Sequence, residues 1–336
     1  MGLHNKRNRK ELKQAIQQER EARQTISFYK YHQIEDPTLF RNDLYRRWEQ
    51  LGVMGRVYVA TEGINAQICV REDQVDDFRK DLYQIPFLYG VRLNIAVEEP
   101  EKAFFKLAIK VRPKIVADGL DDNSFDASQG GIHLNAETFN ELAEREDSVL
   151  IDMRNHYETE VGHFVGAICP DVDTFRDSLP IVEEILQEHK DKNILMYCTG
   201  GIRCEKASAW FKHKGYEKVY QLEGGIIKYA HDVEEKGLPN KFRGKNFVFD
   251  ERLGERITDD IIAHCHQCGV SCDSHTNCKN VMCNHLFIQC ESCAATYDGC
   301  CSEECQEIIH LPEEVQLQMR KGTDSGVRIY TKGRKK

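Results

Sequence analysis

The sequence predicts an α/β protein made of two sheet-containing domains and a small cysteine-rich module. Its 336 residues are enough for two or three domains with separate hydrophobic cores. Short apolar runs of strand length alternate with segments of helical periodicity over most of the chain. Ten of the fourteen cysteines fall between Cys265 and Cys305, so they indicate a local module and not a framework spread over the protein.

The first domain is expected at residues 25–117, after a charged segment at residues 1–24. An apolar start at Ile26 precedes a helical segment that contains Trp48, and two β-like runs follow, MGRVYVA (54–60) and GINAQICV (63–70). A second helix (72–84) and a strand (91–97) complete a βαββαβ order, which is the order of ferredoxin-like folds. A further β-like run at residues 107–116 extends the sheet.

The second domain is expected at residues 129–238, after an acidic, turn-rich linker at residues 118–128. VLIDMR (149–154) and NILMYC (193–198) are continuous apolar runs, and KVYQLEGG (218–225) predicts a further strand. Helical stretches at residues 178–189 and 205–214 separate or follow these strands. Such alternation predicts a parallel sheet that is covered by helices.

Cys198 directly follows one of these predicted parallel strands, and open parallel sheets bind ligands at that end of a strand. The loop after it is Thr199, Gly200, Gly201, Ile202 and Arg203. Its glycines allow backbone amides to converge on the sulfur, and a helix N-terminus near Cys204 adds positive potential beside the Arg203 guanidinium. These features favour a thiolate, so we expect a lowered pKa and a catalytic role for Cys198 and Arg203. A buried, unreactive strand-end thiol is the alternative.

The loop and three further motifs resemble the rhodanese family. CTGGIR has one residue fewer between cysteine and arginine than the phosphate loop of cysteine phosphatases, so a small adduct on sulfur fits better than a phosphoryl group. LIDMRNHYE, GHFVGAI and LEGGI occupy the other motif positions in family order. We expect Asp152 and Arg154 to support the loop. Cys204 either resolves a disulfide or persulfide on Cys198 or packs within its helix.

The cysteine-rich module contains two Cys-x2-Cys pairs, Cys265/Cys268 and Cys290/Cys293, with 21 residues between them. This spacing is typical of a tetrahedral structural zinc site. A second site can draw on six further cysteines and four histidines, which are Cys272, Cys278, Cys283, Cys300, Cys301, Cys305, His264, His266, His275 and His285. One or two zinc ions are therefore expected. Reduced thiols without a metal, or an iron–sulfur cluster, are the alternatives.

Over residues 25–310 the chain resembles the bacterial rhodanese-related tRNA uridine(34) hydroxylases, through its domain order and through CTGGIRCEKASAW, GKNFVFDERLGERI and HCHQCGVSCDSHTNCKN. The resemblance implies oxygen-dependent conversion of uridine 34 in the tRNA anticodon loop to 5-hydroxyuridine, with molecular oxygen as co-substrate and Cys198 as the active cysteine. Cys198 either attacks C6 of the base or carries an oxygen or sulfur species. No flavin or nicotinamide fingerprint is evident in the sequence.

The residues by themselves predict only a nucleophilic or adduct-bearing thiolate, and not oxygen insertion. A sulfurtransferase that carries a persulfide on Cys198 is therefore the first alternative function. A zinc-binding scaffold without catalysis is the second, and the intact cysteine loop argues against it.

The formal net charge of −9 argues against a globally basic nucleic-acid binder, so contacts with tRNA must be local. The segment that opens the predicted C-terminal module (239–310) combines basic and aromatic residues, and we expect Lys241, Arg243, Lys245 and Arg252 to contact phosphates. An ordinary interdomain strand with solvated lysines is the alternative. Residues 311–336 are expected to form a basic, flexible tail.

The sequence has no apolar run of about 18 residues, which is the length that a membrane span requires. Its first residues lack the apolar core of a secretory signal peptide. We therefore expect a cytoplasmic protein with no membrane association, which agrees with the expectation that its cysteines are thiols or metal ligands.

Overall fold

A computed structural model of the protein describes residues 21–98, 103–120 and 125–321. Most of the charged segment expected at 1–24, part of the linker expected at 118–128 and most of the tail expected at 311–336 lie outside these residues. The fold class that the sequence predicts is confirmed, with a ferredoxin-like domain, a parallel-sheet domain and a cysteine-rich module in that order.

The N-terminal domain has the predicted βαββαβ order. Its elements are β1 (Arg23–Tyr31), α1 (Pro37–Gln50), β2 (Met54–Ala60), β3 (Gly63–Arg71), α2 (Val75–Tyr83), β4 (Asn94–Ile95) and β5 (Leu107–Val111). The strand order is β4-β1-β3-β2-β5, and β5 pairs with β2 in parallel. Alternate residues such as Phe28 and Val57 pack on the helices through Trp48 and Phe78, so one face of the sheet is apolar and the other is polar.

The central domain contains a four-stranded, entirely parallel sheet of order β6-β10-β9-β7. Its elements are β6 (Ile132–Leu134), α3 (Ala136–Ala143), β7 (Ser148–Asp152), α4 (His156–Thr159), β8 (Gly162–Phe164), α5 (Phe175–Leu186), β9 (Asn193–Tyr197), α6 (Ile202–His213), β10 (Val219–Leu222) and α7 (Gly225–Lys236). Ile194 and Met196 of β9 belong to one core cluster, whereas Leu195 and Tyr197 belong to another. The sheet is therefore buried on both faces, as its continuous apolar runs predict.

The C-terminal module is attached to the central domain by strand pairing. Its elements are β11 (Phe242–Asn246), β12 (Glu255–Arg256), β13 (His275–Asn277), β14 (Leu286–Ile288), α8 (Glu291–Thr296), α9 (Glu303–His310) and α10 (Glu313–Arg320). Strand β11 lies between β8 and β12. Helix α10 occupies a stretch that the sequence assigns to a flexible tail. Pro312 before it and two acidic residues in its first turn favour a helix there.

A buried cluster of ion pairs joins the first two domains. Lys206 of α6 is 2% exposed, and its ammonium lies 2.6 Å from both Glu62 Oε2 and Asp118 Oδ2. Lys114 also pairs with Asp118, at 2.6 Å. Asp118 is thus buried and paired, although the sequence suggests an acidic, turn-rich linker at this point. Among the described helices, none is long and apolar enough to cross a membrane.

We expect Lys206→Ala to destabilise the protein by about 3 kcal/mol, because the buried Asp118 then keeps only Lys114 as a cation and the half-buried Glu62 loses its partner. Lys212→Ala is the matched control, since Lys212 lies on the same helix but is exposed and donates only to the Gly130 carbonyl. Urea unfolding of the two variants measures the difference. Equal destabilisation by both substitutions would contradict the structural role of the cluster.

Candidate active site

A cavity of about 450 Å³ lies where the three parts of the chain meet. Ser27 and Arg56 line it from the polar face of the N-terminal sheet, Cys198 and Arg203 from the loop after β9, and Phe249 from the segment between β11 and β12. Its volume falls within the range of roughly 300–1,000 Å³ that is usual for small-molecule sites. The cavity therefore has room for a ligand directly beside the predicted nucleophile.

The loop after β9 surrounds the Cys198 sulfur with backbone donors. The amide of Gly201 donates to Cys198 Sγ at 3.2 Å, from a residue with φ of 100° that favours glycine. Behind the loop, Ile226 donates its amide to the Cys198 carbonyl at 3.0 Å. A Cβ on Gly225 would lie 2.5 Å from that carbonyl oxygen, which explains why glycine occupies position 225.

The pKa of Cys198 is set by opposing effects. Burial raises it, but the hydrogen bond from the Cys204 thiol, the charge of Arg203 and the amides of Cys204 and Gly201 lower it to about 6. Cys204 itself is fully buried, and both burial and the hydrogen bond to Cys198 raise its pKa. At neutral pH Cys198 is therefore a thiolate, whereas the neighbouring Cys204 stays a protonated thiol.

Glu158 holds Arg203 in place by a two-pronged ion pair, with nitrogen–oxygen distances of 2.6 and 2.8 Å. The Glu158 side chain is fully buried and also accepts the Asn155 amide at 3.0 Å, which completes a capping box at the start of α4. Burial raises its pKa, but the Arg203 charge and hydrogen bonds lower it overall. Glu158 was not among the predicted site residues. The Asn-x-x-Glu spacing was the available signal, but it indicates a helix start and not a contact with Arg203.

Asp152 and Arg154 lie behind the site and do not line the cavity. They form a fully buried ion pair at 2.7 Å, and Arg154 also donates to the Gly162 carbonyl at 2.6 Å. The guanidinium lies over the rings of Tyr197 and Phe242 as well. These contacts connect the ends of β7 and β9 to β8 and β11, which is consistent with a supporting position.

The N-terminal domain contacts the loop directly, which no motif in the sequence indicates. Tyr29 donates its hydroxyl to Glu205 at 3.0 Å, and Asn94 donates to the Gly200 carbonyl at 3.3 Å. A Cβ on Gly201 would lie 2.9 Å from the Tyr29 hydroxyl. The second glycine of the loop therefore permits close approach of the first domain as well as the turn itself.

The four basic residues that we expected at phosphates are all engaged by carboxylates. Lys241 pairs with Glu144, Arg243 with Asp260 at 3.0 Å, and Lys245 with Asp273 at 3.1 Å. Arg252 has a 4% exposed side chain held by Asp250 and Glu255. The Arg252 guanidinium is therefore already paired inside the protein, where it lines the cavity. Lys241 and Lys245 are partly exposed beside their partners, and Arg243 is exposed.

The structure brings eight of the ten predicted metal-binding cysteines into two groups that could hold metal ions. The groups are Cys265, Cys268, Cys290 and Cys293, and Cys278, Cys283, Cys301 and Cys305, each with sulfurs within 4.8 Å of one another. The four candidate histidines belong to neither group. The first group joins the two Cys-x2-Cys pairs, as the spacing predicts.

Cys272 and Cys300 are not part of these two groups. Cys272 packs in an apolar cluster with Phe247, and its amide donates to the Ala263 carbonyl at 3.0 Å. Cys300 is fully buried, and its carbonyl accepts two glutamine side-chain amides, each at 3.1 Å. Composition alone does not separate such packing cysteines from ligands.

The parallel sheet, the cysteine loop after β9 and the glycines after β10 define a protein of the rhodanese class. Three family descriptions match the chain in order: "UPF0176 acylphosphatase like domain" over residues 23–115, "Rhodanese-like domain" over 135–232 and "Rhodanase C-terminal" over 243–306. The N-terminal and central matches agree with the two sheet-containing domains.

Curated relatives named tRNA uridine(34) hydroxylase match almost the whole chain. The protein of Salmonella typhi is 58% identical over 99% of this chain and 95% of its own length. That of Photorhabdus laumondii subsp. laumondii is 56% identical with the same coverage, and that of Yersinia pestis (strain Pestoides F) is 55% identical over 99% and 94%. The chain belongs to the tRNA uridine(34) hydroxylase family, which confirms the resemblance found in the sequence.

We expect alkylation of Cys198 by iodoacetamide to follow a titration with a midpoint near pH 6, the pKa of its thiol. The rate falls as pH drops through this value, because the thiolate becomes protonated. Cys204→Ala removes a hydrogen bond to the Cys198 thiolate. The alkylation midpoint of Cys198 should therefore lie at higher pH in this variant.

Peptide mass spectrometry after pulsed alkylation measures this midpoint in the full chain. Cys169 is the internal control, since burial raises its pKa to about 12 and it stays unmodified at neutral pH. A Cys198 midpoint near the usual value for a thiol, or no effect of Cys204→Ala, would contradict the interpretation of the loop.

Proposed function

We propose that this protein hydroxylates C5 of uridine 34 in tRNA, with the Cys198 thiolate as the nucleophile. The observation that carries the proposal is the position of a low-pKa cysteine in a cavity large enough for a base, in a chain that matches relatives of this named activity over nearly its full length. Anticodon-loop bases are unpaired and can turn out of the loop into such a cavity. The cytoplasm, where tRNA is modified, is the proposed location.

The proposed chemistry begins when Cys198 Sγ adds to C6 of the uracil ring. The sulfur–carbon bond forms while the C5–C6 electron pair moves to C5 and the O4 carbonyl, which makes C5 electron-rich. One atom of O2 enters at C5, and the other is reduced to water by two electrons and two protons from a thiol reductant. Loss of the C5 proton and departure of the sulfur from C6 restore the double bond and the thiolate.

Arg203 and the loop amides have two proposed roles in this scheme. Before the reaction they hold the sulfur as a thiolate, and when it adds to the base they lie beside the negative charge that moves into the ring. Glu158 keeps the guanidinium in position and does not contact the base. Phe249 lines the cavity, with the Arg203 guanidinium 5.9 Å from its ring centre, and is the proposed aromatic contact of the uracil.

We also propose that the two cysteine groups each hold a structural zinc ion. The sulfurs lie 3.6 Å apart for Cys268 and Cys290, 3.6 Å for Cys283 and Cys301, and 3.8 Å for Cys301 and Cys305. Zinc–sulfur bonds of about 2.3 Å in a regular tetrahedron give sulfur–sulfur edges of about 3.8 Å. The cysteines thus fit a metal site, and zinc would hold together a module with little apolar core of its own.

We expect cells that depend on this protein for the modification to lose 5-hydroxyuridine and its derivatives from the wobble position when the gene carries Cys198→Ala. Removal of the nucleophile stops the addition to C6, so the loss should equal that of a gene deletion. Mass spectrometry of tRNA nucleosides from aerated cultures measures it. The strain must lack any parallel hydroxylation pathway.

Cys169→Ala is the matched control, because Cys169 lies in the same domain and has a raised pKa. Wild-type and Cys169→Ala cells should retain the nucleosides, and growth under ¹⁸O₂ should label the new hydroxyl. Unchanged nucleosides in Cys198→Ala cells would refute the proposal. Thiosulfate-to-cyanide sulfur transfer by the purified protein, without any nucleoside change, would favour the sulfurtransferase function.

We expect the purified protein to contain two zinc ions per chain. Cys268→Ser and Cys283→Ser should each remove about one ion, because each takes one ligand from a different group. Cys272→Ser is the control and should keep both ions. Elemental analysis by mass spectrometry gives the zinc content, and bound iron or equal losses in the control would contradict the assignment.

A further inference from the structure

The N-terminal sheet presents a continuous polar surface that starts in the Cys198 cavity. Strand pairing places Asn94, Ser27, Gln67 and Arg56 in one row across β4, β1, β3 and β2, and all four line the cavity. A parallel row contains Tyr29, Asn65 and Tyr58, which also line it, and continues to Lys110 on β5. Residues paired in register share one face of a sheet, so these rows lead from the cavity to the β5 edge.

The β5 end of this surface carries cations without carboxylate partners. Lys106, Lys110 and Arg112 alternate along β5 and its flanks, are all exposed, and lie on the face opposite the buried Leu107 and Ile109. We call these three residues the β5 cation row.

Arg56 is also exposed and lies at the cavity. Within the part of the chain that the structure describes, neither the β5 cation row nor Arg56 forms an ion pair. Arg112 lies 5.7 Å from the centre of the Tyr58 ring, which confirms that the row shares the cavity face.

This arrangement contrasts with the basic segment that the sequence first suggested. There every candidate is neutralised by a nearby carboxylate, whereas the β5 cation row is free to meet an external anion. Unpaired, exposed cations in a row, with an aromatic ring and amide side chains beside them, fit the phosphates and bases of single-stranded RNA. A ligand with a single phosphate would need only one of these cations, so the row favours a chain of phosphates.

We propose that the polar face of the N-terminal sheet is the RNA-binding surface of this protein. The β5 cation row binds backbone phosphates of the anticodon loop, and Arg56 with Tyr58 guides the target nucleotide into the Cys198 cavity. The ferredoxin-like domain is then the substrate-recognition part of the enzyme. The inference rests on the proposed tRNA substrate and extends it by naming where that substrate binds.

The test compares two triple variants of the full-length protein that remove the same charge. Lys106→Ala/Lys110→Ala/Arg112→Ala removes the β5 cation row. Arg46→Ala/Arg79→Ala/Lys80→Ala removes three exposed cations from α1 and α2, which cover the opposite face of the same sheet. Binding of a uridine-34 anticodon stem–loop is measured by fluorescence anisotropy at several salt concentrations.

We expect the β5 variant to bind the stem–loop at least tenfold more weakly, on the order of what three lost phosphate contacts cause, and its log–log salt slope to fall by about 2. The helix-face variant should bind like the wild type. The stem–loop should also protect Cys198 from alkylation in the wild type, and this protection should be lost at the same RNA concentration in the β5 variant and in Arg56→Ala.

Equal weakening by both triple variants would overturn the proposal, because the effect would then be one of overall charge. Binding that survives loss of the β5 cation row, or binding that leaves Cys198 unprotected, would overturn it as well. The Cys198 alkylation midpoint, measured without RNA, shows that each variant keeps an intact loop. Specific binding without any hydroxylated nucleoside would refute the proposed activity and leave the binding surface in place.

Discussion

The buried ion pair between Glu158 and Arg203 is the contact on which the geometry of the site depends. Glu158 is fully buried and Arg203 nearly so, and each charge is tolerated because the other is held at hydrogen-bonding distance. Arg203 thereby stays beside Cys198, at the first turn of the helix whose amide also reaches the sulfur. Since Glu158 already neutralises much of the Arg203 charge, backbone amides and the Cys204 thiol must supply the remaining stabilisation of the thiolate.

This arrangement makes the three parts of the chain dependent on one another. The central sheet supplies the thiolate, but one wall of the cavity comes from the N-terminal sheet and another from the segment before the cysteine-rich module. The Lys206 cluster holds the N-terminal domain against the central domain, and pairing of β11 with β8 holds the C-terminal module against it. The two cysteine groups, remote from Cys198 in sequence, lie in the same module as β11 and Phe249. A central domain alone would have an open loop with no cavity above it.

The sequence predicted what depends on local pattern and missed what depends on pairing across the chain. Periodicity gave the order of strands and helices, and loop chemistry identified Cys198 with its arginine. Glu158 escaped notice because a capping box explains it without reference to Arg203. The assignment of Arg252 to RNA stays a prediction, and its pairing with Asp250 and Glu255 was not foreseen, since a basic residue in a sequence does not reveal whether a carboxylate will lie beside it. Cys272 and Cys300 could not be distinguished from metal ligands, because the sequence does not show which cysteines lie close together in the fold.

An acidic protein can act on RNA if some of its cations have no carboxylate partner in the fold. With a net charge of −9 the protein as a whole repels a polyanion, and Lys241, Arg243 and Lys245 are already paired with carboxylates. Repulsion elsewhere disfavours wrong docking orientations, while a short row of unpaired cations supplies attraction at one place. Because that row shares a sheet face with one wall of the cavity, the element that attracts the RNA also borders the place of reaction. Recognition of the substrate and positioning of its base are then properties of a single surface.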